Sequence, residues 1–145
     1  MRTGEQINTL NELLRGELAA TETYQQAMAK VGSGPGADEL RQLRDEHREA
    51  ANTLRQHVHT HGGKPDQGSG AWGAFAKTIA GAAKLFGNTA ALKALKEGEE
   101  SGAKSYESVL KDKDLADDCK ELVRNTLLPQ TRAHITTLDR LMAAK

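Results

Sequence analysis

Inward-type residues recur at alternating steps of three and four along four long stretches of this chain, a spacing that lays each stripe along one face of an α-helix. The first stripe is Ile7, Leu10, Leu14, Glu17, Thr21, Tyr24 and Met28, ended by the run Gly32-Ser33-Gly34-Pro35-Gly36. The second is Leu40, Leu43, His47, Ala50, Leu54, His57 and His61, stopped by Gly62, Gly63 and Pro65. A third runs Leu92, Leu95, Glu99, Gly102, Tyr106 and Val109, and a fourth Val123, Leu127, His134, Thr137 and Leu141. Four such faces bury each other most economically as an antiparallel bundle.

The pattern predicts helices over about 4–31, 37–61, 89–111 and 114–143 in a single domain, 1–145. Thr3 and Gln6 have the spacing of a capping box at the start of the first helix, and Asp112 and Asp114 offer an aspartate cap for the fourth. Pro129 lies inside that fourth helix, where it lacks an N–H and crowds the carbonyl of Asn125, so a kink is expected before His134. Between the second and third helices a shorter amphipathic segment, about 70–86, carries Trp72, Phe75, Ile79, Ala83 and Phe86 on one face, with Ser69 as its cap. Short links within each pair and one long crossover between the pairs is the connectivity of ferritin-like bundles. The expected class is therefore all-α, a ferritin-like four-helix bundle whose crossover carries a short extra helix. Scarce aromatics and abundant Ala, Leu, Glu, Lys, Arg and Gln agree with it.

Each main stripe is interrupted near its middle by an ionisable residue: Glu17, His47, Glu99 and His134. On a bundle axis an unpaired carboxylate costs several kcal/mol, on the order of the penalties for any buried ion, so these four must satisfy one another or a ligand. The first and third helices also repeat each other, since Gly16-Glu17 precedes Tyr24 by the same seven residues that separate Gly98-Glu99 from Tyr106. Two turns put each tyrosine on the face of its glutamate. Two Glu and two His suit one divalent Fe, Mn or Zn ion.

The stretch Leu10 to Leu18 with Tyr24 resembles the first helix of bacterioferritin-type proteins, and Glu99 to Tyr106 and His134-Ile135 resemble their third and fourth helices. As a whole the chain is most similar to uncharacterised bacterial ferritin-like bundle proteins. In the di-iron members of that superfamily two helices each give one Glu and the other two each give a Glu-x-x-His pair. The resemblance implies ligand positions at Glu17, Glu99 and His134, with His47 near one, and Tyr24, Tyr106 and Thr131 in support. Two departures stand out: Thr131 occupies the position three before His134, and Arg44 the position three before His47, so both bridging carboxylates are missing. Two roles follow. One is a non-enzymatic binding or structural bundle, with a stress-related role implied by the resemblance; the other is a degenerate metalloprotein with weak or no oxidase activity.

His57 and His61 share a helix face and form a weaker alternative metal pair, although histidines also suit a helix C-terminus through the macrodipole. Cys119 sits beside Asp117, Asp118 and Glu121, whose charge raises rather than lowers a thiol pKa. Twenty basic residues balance twenty acidic ones, so no global field draws the chain to nucleic acid or an anionic membrane. No run approaches the ~20 apolar residues of a membrane span, and the N-terminus lacks a signal-peptide pattern, so a cytoplasmic location is expected. Trp72, Phe75 and Phe86 give residues 71–86 the means to cover the bundle itself or to join a second copy as a homo-oligomer.

Overall fold

The structure, a computed structural model, describes residues 3–31, 36–68 and 88–144. The expected crossover helix at about 70–86, and with it the proposed homo-oligomer surface, lies outside the described residues. Among those described, every regular element is helical: α1 (Thr3–Val31), α2 (Ala37–Thr60), α3 (Asn88–Leu110) and a compound α4. The last begins as Asp117–Leu122, widens into a π-helical turn over Val123–Leu127 and continues as Leu128–Ala143. None of these helices is long and apolar enough to cross a membrane.

The π-turn is how α4 accommodates Pro129. The Leu128 N–H reaches back five residues to the Val123 carbonyl, and the widened turn relieves the crowding that a proline imposes on the turn before it. Where the sequence predicts a kink, the helix carries this wide turn. After it, His134 and Leu138 face inward, while Thr137, expected on the stripe, is only partly covered.

The caps differ from those read in the sequence. The residue before α4 is Ala116, which has no side-chain cap; the Asp112 carboxylate instead accepts the Asp114 N–H, 3.0 Å, to form a local turn. The Gln6 side-chain carbonyl accepts the Ala116 N–H across the bundle, 3.1 Å, tying the start of α1 to the start of α4. At the end of α2, Gly62 takes φ 83° while Gly63 N–H bonds Val58 O and Gly62 N–H bonds His59 O, both 2.9 Å. This is a Schellman stop, which needs a left-handed residue. The loop beyond it runs along α1, where the buried Asn11 amide donates to Lys64 O (3.1 Å) and accepts Asp66 N–H (2.9 Å).

α1 packs most extensively on α2, and α3 on α4. Two apolar clusters fix the directions. In one, Leu10 and Leu14 near the start of α1 meet Leu54 and Val58 of late α2, Tyr106 of late α3, and Cys119 and Val123 of early α4. In the other, Tyr24 and Ala27 of late α1 meet Leu40 and Leu43 of early α2, Leu92 and Leu95 of early α3, and Leu138 of late α4. Hence α1 and α4 run one way, and α2 and α3 the other. Burying Leu, Tyr and Val side chains of this kind contributes about 1.5–3 kcal/mol each. Between the two clusters the core turns polar.

Candidate functional site

Glu17, His47, Glu99 and His134, one from each helix, are respectively 5, 4, 4 and 2% exposed. They sit there because each occupies an inward position of its stripe, two turns from leucines that anchor the same face: Leu10 before Glu17, Leu40 before His47, Leu92 before Glu99, Leu127 before His134. Their polar atoms meet. His47 bridges the two carboxylates, with Nδ1 2.5 Å from Glu17 Oε2 and Nε2 2.7 Å from Glu99 Oε2. His134 places Nδ1 3.1 Å from the same Glu99 oxygen and Nε2 2.8 Å from Glu46 Oε1.

The tyrosines complete the network crosswise. Tyr24 of α1 donates its hydroxyl to Glu99 of α3, 2.5 Å, and Tyr106 of α3 donates to Glu17 Oε1 of α1. The repeated Gly-Glu motif and its tyrosine seven residues on are therefore used reciprocally: each helix supplies a hydroxyl to the other's carboxylate and a carboxylate to the other's hydroxyl. Tyr24 also stacks on His47, ring centroids 5.3 Å apart, which favours a cationic imidazole over a π face.

Protonation follows from these contacts. Both nitrogens of His47 face carboxylates, and an imidazole that donates at both is a cation. Burial alone would lower the His47 pKa, but the charges of Glu99 and Glu17 and their hydrogen bonds raise it well above the ordinary value. Burial likewise would raise the Glu99 carboxyl, yet the His47 charge, hydrogen bonds from both imidazoles and the His134 charge hold it at about 2. Burial, then the charge of the partner carboxylate (Glu99 for Tyr24, Glu17 for Tyr106), pushes both phenols well above 10, which keeps them as donors. The centre is thus an imidazolium held between two carboxylates that two phenols brace.

Glu46 is the member that stripe reasoning missed. It lies next to His47 at the edge of the inward face, keeps a side-chain exposure of 31% and accepts from Gln42 as well, 3.0 Å. For Glu46 too, burial would raise the carboxyl, but the His134 hydrogen bond leads the influences that lower it overall. Thr131, read as a supporting residue, is buried but donates to the Leu127 carbonyl, 2.9 Å, rather than to a carboxylate. Arg44 is partly covered and pairs with the exposed Asp45, 2.9 Å. A cavity of about 600 Å³ lies against the network between α1 and α3; Glu17 and Glu99 border it, and Gly16, Ala20 and Gly102, with little or no side chain, leave the space.

A two-iron centre does not fit these donors. With Thr131 and Arg44 at the bridging positions, neither carboxylate that would span two ions is present, and His134 turns its far nitrogen to Glu46. The weaker pair, His57 and His61, is brought together at the end of α2 with Asp118 and Cys119 of α4.

The chain belongs to a family described as a domain of unknown function, DUF2383, whose model matches residues 5–112. That span covers α1 to α3 with Glu17, His47 and Glu99, and ends before α4. No curated protein and no solved structure matches the chain.

Proposed function

We propose that this protein is a ferritin-like bundle in which a self-compensated Glu–His–Tyr centre takes the place of a redox metal, and that it acts as a non-enzymatic binding or structural protein. The ferritin-like arrangement is supported by the helix directions: α2 ends where α1 begins, α3 starts at the opposite end, and their connection spans the bundle. The observation that carries the functional reading is His47, whose two nitrogens are both engaged by buried carboxylates, 2.5 and 2.7 Å away. A proton there supplies the positive charge that a metal supplies elsewhere. The stress-related role rests on family resemblance. Elemental analysis of protein made without an affinity tag tests the reading: no metal should depend on the core residues, and chelator should leave the unfolding midpoint unchanged. Stoichiometric metal that disappears in Glu99→Ala and His134→Ala overturns it.

One observation favours a second reading, a single Fe, Mn or Zn ion in the core. One donor atom each from His47, Glu99 and His134 lies within 4.8 Å of the others. Such an ion would have to displace protons from both imidazoles, and stability would then rise with free metal by mass action.

A further inference from the structure

At the end of the bundle away from the polar layer, α2 and α4 bring together four side chains of mixed chemistry. His57 and His61 are one turn apart on the last turns of α2, and Asp118 and Cys119 are adjacent in the first turn of α4. His61 Nε2 lies 3.0 Å from Asp118 Oδ2 and 3.5 Å from Cys119 Sγ, and His57 Nδ1 lies 3.5 Å from the same Asp118 oxygen. One donor atom from each of the four falls within 4.8 Å of all the others. We propose that His57, His61, Asp118 and Cys119 form a Zn²⁺ site that clips the end of α2 to the start of α4, separate from and independent of the core centre.

Hydrogen bonding alone leaves the cluster incomplete. His57 Nδ1 is buried and has no hydrogen-bond partner among the described residues, the Asp118 carboxylate standing 3.5 Å away. An orphaned buried nitrogen calls for a reason. A cation among the four would receive the lone pairs of both imidazoles, the carboxylate and the sulfur at once. Tetrahedral zinc with bonds of about 2.0–2.3 Å sets its ligands roughly 3.3–3.8 Å apart, near the three contacts of 3.0, 3.5 and 3.5 Å given above. Thiolate with two imidazoles selects zinc over magnesium or calcium, which take oxygen.

The scaffold is built to hold such a set. The Schellman stop at Gly62 fixes the turn that carries His61, and the Gln6 to Ala116 bond fixes the approach to Asp118. Access is open on one side: the side chains of His57, His61 and Asp118 remain 23, 21 and 47% exposed, with Cys119 as the buried floor. Burial first, then the charge and hydrogen bond of Asp118, push the Cys119 thiol up to about 12. Zinc binding forms the Zn–S bond and releases the thiol proton as H⁺.

The test uses the full chain without an affinity tag, stripped with chelator and titrated with Co²⁺ and then Zn²⁺. One equivalent of Co²⁺ should give a thiolate-to-cobalt charge-transfer band that Zn²⁺ removes. Cys119→Ser should abolish the band. His57→Gln or His61→Gln should weaken Zn²⁺ binding by at least the roughly 10–100-fold typical of losing even a supporting partner. His59→Gln, an exposed control between them, and Glu99→Gln in the core should leave it unchanged. No thiolate band from folded protein overturns the proposal, as does metal uptake that survives His61→Gln but is lost in Glu99→Gln, which would assign the ion to the core. If Cys119→Ser does not fold, the two partly exposed histidine variants decide the matter through the same band.

Discussion

Replacing His47 with Ala removes the one group that, among the described residues, hydrogen-bonds to both buried carboxylates. Glu99 would keep Tyr24 and His134, but Glu17 would keep only the Tyr106 hydroxyl, at a position 5% exposed. Taking one partner from a buried, hydrogen-bonded ion pair costs about 3–5 kcal/mol, chiefly because the other charge stays buried. Total stabilities of domains run about 5–15 kcal/mol, so this single change is expected to remove a large share of the fold's margin. His134→Ala should cost less, about 2–3 kcal/mol on the same scale, because one of its two partners, Glu46, is half-exposed and can return to water. His59→Ala, on the exposed side of the same helix, should stay within about 0.5 kcal/mol of the parent. Urea unfolding followed by circular dichroism measures all three, the midpoint shift being read as stability when the slope is constant. A His47→Ala midpoint matching that of His59→Ala, or a larger loss for His134→Ala than for His47→Ala, would refute the bridging role assigned to His47.

Replacing Glu17, His47, Glu99 and His134 together with Leu or Met should be far gentler than His47→Ala and can exceed the parent, because the desolvation cost leaves with the charges; a four-fold variant less stable than the single one contradicts this. Tyr24→Phe and Tyr106→Phe should each cost about 1.5–3 kcal/mol, the worth of a hydrogen bond to a charged group, with Tyr106→Phe the larger because Glu17 has fewer remaining donors. Stability should fall at both ends of the pH scale. Glu99, held at about 2 when folded, contributes stability that is fully present above its ordinary value of 4.5 and is lost as pH drops toward 2; Glu99→Gln should flatten that acid limb in urea midpoints measured across the range. His47, raised when folded, contributes stability that is complete below 6.5 and is lost as pH climbs through its higher folded value, a limb that His47→Ala should erase.

Much of the polar layer was legible because a charge that interrupts an apolar stripe is conspicuous. Glu17, His47, Glu99 and His134 each break a run of leucines at helical spacing, and all four are buried. What stripes cannot carry is pairing between helices. The tyrosines share faces with their own glutamates, yet each bonds the glutamate of the other helix, a choice made by packing rather than period. Glu46 escaped notice because a residue at the edge of a face reads as solvated until a partner such as His134 is known. On α4 Leu138, four residues after His134, takes the inward place expected of Thr137, three after it, because both spacings fall on nearly the same helix face and packing decides between them. Asp118 and Cys119 looked like an acidic stretch around a quiet thiol; nothing local says that the end of α2 lies opposite.

The crosswise tyrosines also bear on how the two helix pairs stay together. α1 with α2, and α3 with α4, are the intimate pairs, and the space between α1 and α3 is kept open by Gly16, Ala20 and Gly102. Apolar packing between the pairs is correspondingly limited in the middle of the bundle, where the two hydroxyl–carboxylate bonds and the His47–Glu99 contact cross from one pair to the other. On the remaining seam, α2 against α4, His134–Glu46 and His61–Asp118 cross at different levels. Both seams between the pairs thus add ionised contacts at mid-bundle to the two apolar clusters that join all four helices on either side of it. Loss of charge at the centre should weaken the middle of the bundle as a whole, because His47–Glu17 and His134–Glu99 join the helices of each pair there just as His47–Glu99 joins the pairs to each other.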